Sequence, residues 1–212
     1  MARFPAATII RAVLVACALL APVAGQAQVP VAAVLSPVDR GWVERVQQTL
    51  SAITTLKAHF LQIAPDGHTS QGTAWLDRPG RMRFEYAKPS PLLLVASGGK
   101  LVFNDSELKQ TTSLPLDKTP LGLLLRPGLT LSGDVTVTAF HHADGQLQLT
   151  LVRTASPGDG SLTVILSDAP VALRAWTVID AQGRQTRVDL DSIALGGALS
   201  QKRFDTSVGE QD

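Results

Sequence analysis

Two periodicities divide the chain. Trp42, Val43, Val46, Leu50 and Ile53 recur at helical spacing, while Arg40, Glu44, Arg45, Gln47 and Gln48 take the opposite side, so this stretch predicts an amphipathic helix with one stripe to bury. Ser36, Pro37 and Asp39 supply a cap, a proline at the first helical position and an early acid, which together fix the start of that helix. From Leu56 the period falls to two. Leu56, Ala58 and Phe60 alternate with Lys57 and His59 up to a turn at Asp66-Gly67, as in a strand with one buried face. Gln28 to Leu35 is small and apolar without period, which predicts a lead-in that orders late or stays mobile.

The clearest hairpin runs from Gly72 to Tyr86. Pro79 and Gly80 form its corner, because proline presets φ and glycine supplies the positive φ that the corner needs. Beyond the corner Met82, Phe84 and Tyr86 alternate with Arg81, Arg83 and Glu85, so one face is expected to be buried and the other wet. Arg78 shares a parity with Leu76, not with Asp77; the commonplace reading of such a residue is a solvated turn arginine.

Strands follow over Leu92–Ala96 and Leu101–Phe103, with a turn at Gly98-Gly99 and a polar corner at Asn104-Asp105. Alternation returns at Val135–Ala139, Leu147–Leu151, Leu162–Leu166, Val171–Ala175 and Thr186–Leu190. Short strands joined by hairpin turns predict a mainly β protein built on one antiparallel sheet. Such a sheet curls, and one apolar face per strand encloses an apolar interior. One element departs from this pattern. Thr119 to Pro127 has a cap, a proline start and a proline stop around leucines on every side but Gly122. A helix that short is apolar all round only if both faces are covered. A plug in an ordinary barrel core and a lid over the mouth of a curled sheet both fit.

Composition adds an address. Arg3 and Arg11 precede an apolar run over Ala12–Ala21 and the small residues Gly25-Gln26-Ala27, the pattern of an export signal over residues 1–27. The run is far short of the roughly 20 apolar residues of a membrane-spanning helix. Leu14-Val15-Ala16-Cys17 looks like a lipobox, but Arg11 shortens the apolar run before it and Ala18-Leu19-Leu20 continues it afterwards. Residues 28–212 are expected to form a single exported domain; the periplasm is the compartment implied by the resemblance described below. Losing the signal removes two arginines and no acid, turning the formal net charge from +1 to −1. No basic footprint of a nucleic-acid binder is left. Cys17, the sole cysteine, leaves with the signal, so stability must come from burial without disulfides.

Candidate chemistry is sparse. His141 and His142 point to opposite faces of one strand, and His59 and His68 flank a turn with no cysteine or acid pair at ligand spacing, so neither a metal nor another cofactor is expected. The chain carries no nucleophile elbow, phosphate loop or dinucleotide fingerprint, and an enzyme is not expected. Asp189 and Asp191 share a face beside Arg187; a wet strand face explains them without catalysis. Leucine, valine and alanine dominate and aromatics make up 5% of the chain, giving a soft aliphatic wall that suits sliding acyl chains and equally suits an ordinary barrel.

Gly72, Trp75, Arg78-Pro79, Arg83-Phe84-x-Tyr86, Pro89, Leu94-Val95-x-x-Gly98-x-x-Leu101 and Ala58-x-Phe60-x-Gln62 together resemble the signature of LolA-type lipoprotein carriers. Thr119-Pro120-Leu121 resembles the start of the family's lid helix, which favours the lid over the plug. The similarity runs from the first helix to about Phe204. It departs at Phe204-Asp205-Thr206-Ser207-Val208, which has one aromatic and no proline, and at Met82, where an aromatic is common.

The resemblance implies an open curled sheet with an N-terminal helix and a short lid helix covering an apolar cavity. It also implies a monomeric carrier that takes acylated lipoproteins from an inner-membrane lipoprotein-releasing ABC transporter to an outer-membrane lipoprotein receptor. Within it, Arg78 is the expected latch to the lid. Trp75, Met82, Phe84, Leu94, Val95, Leu121, Leu123 and Leu124 are the expected cavity and lid residues, with core packing as the alternative for each. A periplasmic lipid- or lipoprotein-sensing module without shuttle activity is the competing reading.

Overall fold

Ser36 caps the first helix, α1 (Pro37–Ala52), in a reciprocal box: its hydroxyl accepts from the Asp39 amide at 3.1 Å, and the Asp39 carboxylate accepts from the Ser36 amide at 3.2 Å. Two orphan amides at the helix start are thereby satisfied. The computed structural model describes residues 30–206; the expected export signal with Cys17 lies outside the described residues, as do Ser207 and Val208. Val43, Val46 and Leu50 are buried where α1 packs against the sheet, so the stripe expected from periodicity is the face that the helix hides.

Eleven antiparallel strands form that sheet: β1 (Thr55–Ile63), β2 (Thr69–Asp77), β3 (Arg81–Tyr86), β4 (Leu92–Ser97), β5 (Lys100–Asp105), β6 (Gln110–Pro115), β7 (Val135–Ala143), β8 (Gln146–Arg153), β9 (Gly160–Asp168), β10 (Val171–Asp180) and β11 (Gln185–Leu195). Their spatial order is β6-β5-β4-β3-β2-β1-β11-β10-β9-β8-β7. The first and last strands meet at the centre, and β6 and β7 form the two edges. The sheet is open, as expected. On its concave face Leu56, Ala58, Phe60, Leu76, Met82, Phe84, Leu149, Leu151, Leu162, Val164 and Trp176 join α1 in one core.

Between the two edges, residues 116–134 cross the mouth of the sheet. A 3₁₀ turn (Leu116–Lys118) leads into α2 (Leu121–Leu124), a single helical turn. The sequence predicted a helix capped by Thr119. Instead the Thr119 hydroxyl donates back to the Leu116 carbonyl at 2.9 Å, and Pro120 stands at the cap position without a side-chain bond. A helix of one turn has no interior, and its covering comes from the sheet.

Three further differences have physical reasons. Strand β6 was not expected; its sequence QTTSLP is exposed throughout and carries no apolar alternation to betray it. Of the two expectations for the lead-in, order holds over its described part and mobility does not, because the Ala33 amide donates to the Val137 carbonyl at 2.8 Å and Ala33 and Leu35 pack on the core. The convex face of β2 to β5 is not wet either. Trp75, Val95 and Val102 are buried there, opposite the concave core. The C-terminal 3₁₀ turn (Gln201–Phe204) packs over this face, with Arg203 4.3 Å above the Trp75 ring and the Arg203 carbonyl accepting from Arg83 at 3.3 Å.

Candidate functional site: an apolar pocket under a lid

The strict alternation of β3 sends Met82 and Phe84 into the concave face, and Leu94 of β4 lies directly across from Phe84. With Leu121 of the lid these residues line a pocket of about 200 Å³. Its far wall is Trp176 and Val178 of β10 and Val188 of β11. Among the described residues the polar side chains that line it are Gln62 and Thr186, and Gln62 accepts from the Tyr86 hydroxyl at 2.9 Å. Burial pushes the Tyr86 phenol above its ordinary pKa, so it is a neutral donor there. A cavity with this lining takes an apolar guest and offers no group to react with it.

Gly72 gives the aromatic wall its room. A Cβ there would meet the Glu85 carbonyl and the Phe60 ring. Its absence lets Phe60 lie 4.6 Å from Phe84 and 5.2 Å from Tyr86, ring centre to ring centre, the spacing of stabilising aromatic pairs.

The lid is fastened from the hairpin corner. Gly80 takes φ of 73°, a value glycine adopts at little cost, and its amide donates to the Leu125 carbonyl at 2.9 Å. Arg78, two residues earlier, points inward with Leu76. Its Nε donates to the Leu124 carbonyl at 2.8 Å, and its Nη1 donates to the Leu50 carbonyl and, at 3.2 Å, to the Ile53 carbonyl. Leu50 and Ile53 end α1, whose last turn carries no basic residue of its own. The guanidinium therefore supplies the cation that the negative end of the helix favours and ties that end to the lid.

No carboxylate pairs with Arg78 among the described residues. Burial lowers its pKa to about 10, which leaves it charged at neutral pH.

Leucine burial supplies the rest of the closure. Leu123, Leu124, Leu125 and Leu129 are all but fully buried, and each contributes about 1.5–3 kcal/mol. Further bonds run from the Leu131 amide to Gln47 at 2.8 Å and from the Leu116 amide to the Gly99 carbonyl at 2.8 Å. Gly122 is required at the lid's tightest point, where a Cβ would strike the Leu116 carbonyl.

Of the residues expected at the cavity, Met82, Phe84, Leu94 and Leu121 line the pocket, and Leu123 and Leu124 are buried in the lid's underside. Trp75 and Val95 are a correction. Each has the opposite parity to Leu76 and Leu94, so both face the convex side, under the C-terminal turn. Trp176, Val178 and Val188 were not expected, although the alternation of their strands carries the signal.

The polar residues considered for chemistry are scattered. Arg187 grips Asp189 through three bonds of 2.6–3.1 Å, and this pairing raises the Arg187 pKa. His142 bonds Asp168 at 2.9 Å and packs, tilted, against the ring of Trp42 of α1 with ring centres 4.6 Å apart. Among the described residues no three histidines, cysteines or acids gather at metal-binding distance.

Residues 51–207 match the family described as Outer membrane lipoprotein carrier protein LolA. The outer-membrane lipoprotein carrier protein of Methylococcus capsulatus is 30% identical over 172 residues, covering 77% of this chain and 82% of its own. That of Dechloromonas aromatica is 31% identical over 176 residues, with the same two coverages of 77% and 82%. Among solved structures, a LolA superfamily protein from Nitrosomonas europaea aligns with 80% of this chain and 98% of its own, at 10% identity and a TM-score of 0.44.

Proposed function

Because the chain belongs to the LolA family of outer membrane lipoprotein carrier proteins, we propose that it collects acylated lipoproteins from an inner-membrane lipoprotein-releasing ABC transporter. It then carries them as a monomer across the periplasm to a lipoprotein receptor at the outer membrane. The observation that supports this reading is the apolar pocket beneath a lid held by Arg78. Each methylene left in water costs about 0.8 kcal/mol, so bare acyl chains would cost on the order of tens of kcal/mol in transit.

The pocket's volume of about 200 Å³ is below the roughly 300–1,000 Å³ of sites that take whole small molecules. It is the resting, closed form. Cargo enters by displacing the lid, and the acyl chains then cover the surface that the lid leucines covered. Hand-over without a nucleotide requires the empty state to be favoured by something that cargo disrupts. The Arg78 bonds to the Leu124, Leu50 and Ile53 carbonyls are that element in this reading.

The test incubates membrane vesicles bearing newly made lipoprotein with the purified mature protein. A soluble one-to-one complex is expected, followed by transfer to outer-membrane vesicles. Arg78→Leu should form the complex and release it at least about tenfold more slowly, since a closing bond to a charged group contributes about 1.5–3 kcal/mol. Normal hand-over by that variant would refute the latch. Absence of any soluble complex with the wild type would favour the sensing module.

A further inference from the structure

The two edges of the sheet are treated differently. Strand β7 carries a register shift between Val137 and Ala139, and the lead-in donates to it through the Ala33 amide. Strand β6 has neither protection. Its pairing with β5 is unbroken, no other strand pairs with it among the described residues, and Gln110–Pro115 contains no charge. Edges left this way invite another strand.

The register identifies which groups are free. The Leu116 amide bonds the Gly99 carbonyl across the same ladder, and bonded pairs alternate along an antiparallel pair. Leu114, Thr112 and Gln110 therefore turn their amides towards β5, while Thr111 and Ser113 present theirs outward. Pro115 falls in the outward series, the position at which an edge tolerates a missing donor.

An apolar strip leads from the pocket to this edge. Leu94, on the pocket wall, pairs with Phe103, and Leu101 pairs with Leu114. Phe103 is 38% exposed and Leu114 49%, so the strip is open to solvent. Immediately after Pro115 the chain becomes the lid.

Resting on the carrier reading above, we infer that β6 is the docking edge for the cargo's polypeptide: the segment next to the acylated cysteine crosses Phe103 and Leu114 and adds to the sheet as an extended strand on Thr111 and Ser113. A chain leaving the pocket over this strip meets no other unpaired backbone before β6. Backbone pairing ignores side-chain identity, which suits a surface that must accept different lipoproteins. Because β6 runs straight into the lid, a strand bound there holds the lid's entry point while the acyl chains displace α2.

Amide hydrogen exchange on the whole mature chain tests this with two probes, a tripalmitoylated cysteinyl peptide and palmitate. The lipopeptide should slow exchange at Thr111 and Ser113 at least about tenfold, the factor expected when a free amide gains one hydrogen bond of about 1.5 kcal/mol. Palmitate should leave both unchanged. Ser113→Pro removes an outward donor and should weaken lipopeptide binding about five- to tenfold without altering palmitate binding.

Lipopeptide binding with no protection at these amides overturns the inference and leaves the carrier reading standing. Failure of the wild type to bind the lipopeptide overturns both. Concentration-dependent protection of Thr111 and Ser113 without ligand would assign the edge to a second copy of the chain and also overturn it. If Ser113→Pro does not fold, the wild-type exchange pattern still decides.

Discussion

The two faces of the β2–β3–β4 unit bury similar side chains for different ends. On the concave face Met82, Phe84 and Leu94 border a pocket closed by a lid whose fastenings are backbone carbonyls: Leu124 to Arg78 and Leu125 to the Gly80 amide. On the convex face Trp75 and Val95 lie under the C-terminal turn, with Phe204 2% exposed and Arg203 stacked on Trp75. The convex cover is a seal, since its anchor is a large buried ring whose loss leaves a cavity. The concave cover, in the reading proposed above, is a closure that cargo exchanges: an apolar guest replaces the leucine contacts and the released carbonyls turn to water.

That contrast breaks if the seal proves to matter for binding or if the pocket proves to be plain core. Phe204→Ala should cost about 3–5 kcal/mol in urea unfolding while the folded protein binds palmitate as the wild type does; a large loss of palmitate affinity would merge the two faces into one functional unit. Met82→Trp replaces an unbranched side chain by a bulky indole in the pocket and should destabilise by about 1–3 kcal/mol. It should also lower palmitate affinity more than about tenfold by fluorescence titration, and unchanged affinity would place the guest elsewhere. Smallest is Arg203→Met, which removes the cation over Trp75 at a cost of about 0.5–2 kcal/mol and should leave both binding and lid exchange unaltered.

The strands were legible wherever one residue in two was apolar, which is why β1, β3 and β7 to β11 appear close to the expected positions. The start of α1 was legible because Ser36, Pro37 and Asp39 act locally. Strand β6 was hidden because both of its faces meet solvent, so no burial pattern is written into it. Trp75 and Val95 were misplaced because apolar neighbours occur on both parities of β2 and β4, and only the C-terminal turn, over a hundred residues later in Val95's case, reveals that the second face is covered. The direction of Arg78 followed from its parity with Leu76. Its partners at the end of α1 did not, because backbone carbonyls leave no mark in a sequence. Four of the nine pocket residues come from β10 and β11, whose alternation was visible but whose place beside β1 is set by the closing pair of β1 with β11.

The account rests on the lid leaving the hairpin corner when cargo arrives, and the Gly80 amide reports this directly because its partner is the Leu125 carbonyl of the lid. In the empty protein that amide should be protected from hydrogen exchange. On loading with a tripalmitoylated cysteinyl peptide its exchange should accelerate at least about tenfold, the cost of giving up one hydrogen bond of about 1.5 kcal/mol. Equal protection of Gly80 in the empty and loaded protein would mean that cargo binds with the lid shut, and would contradict the account.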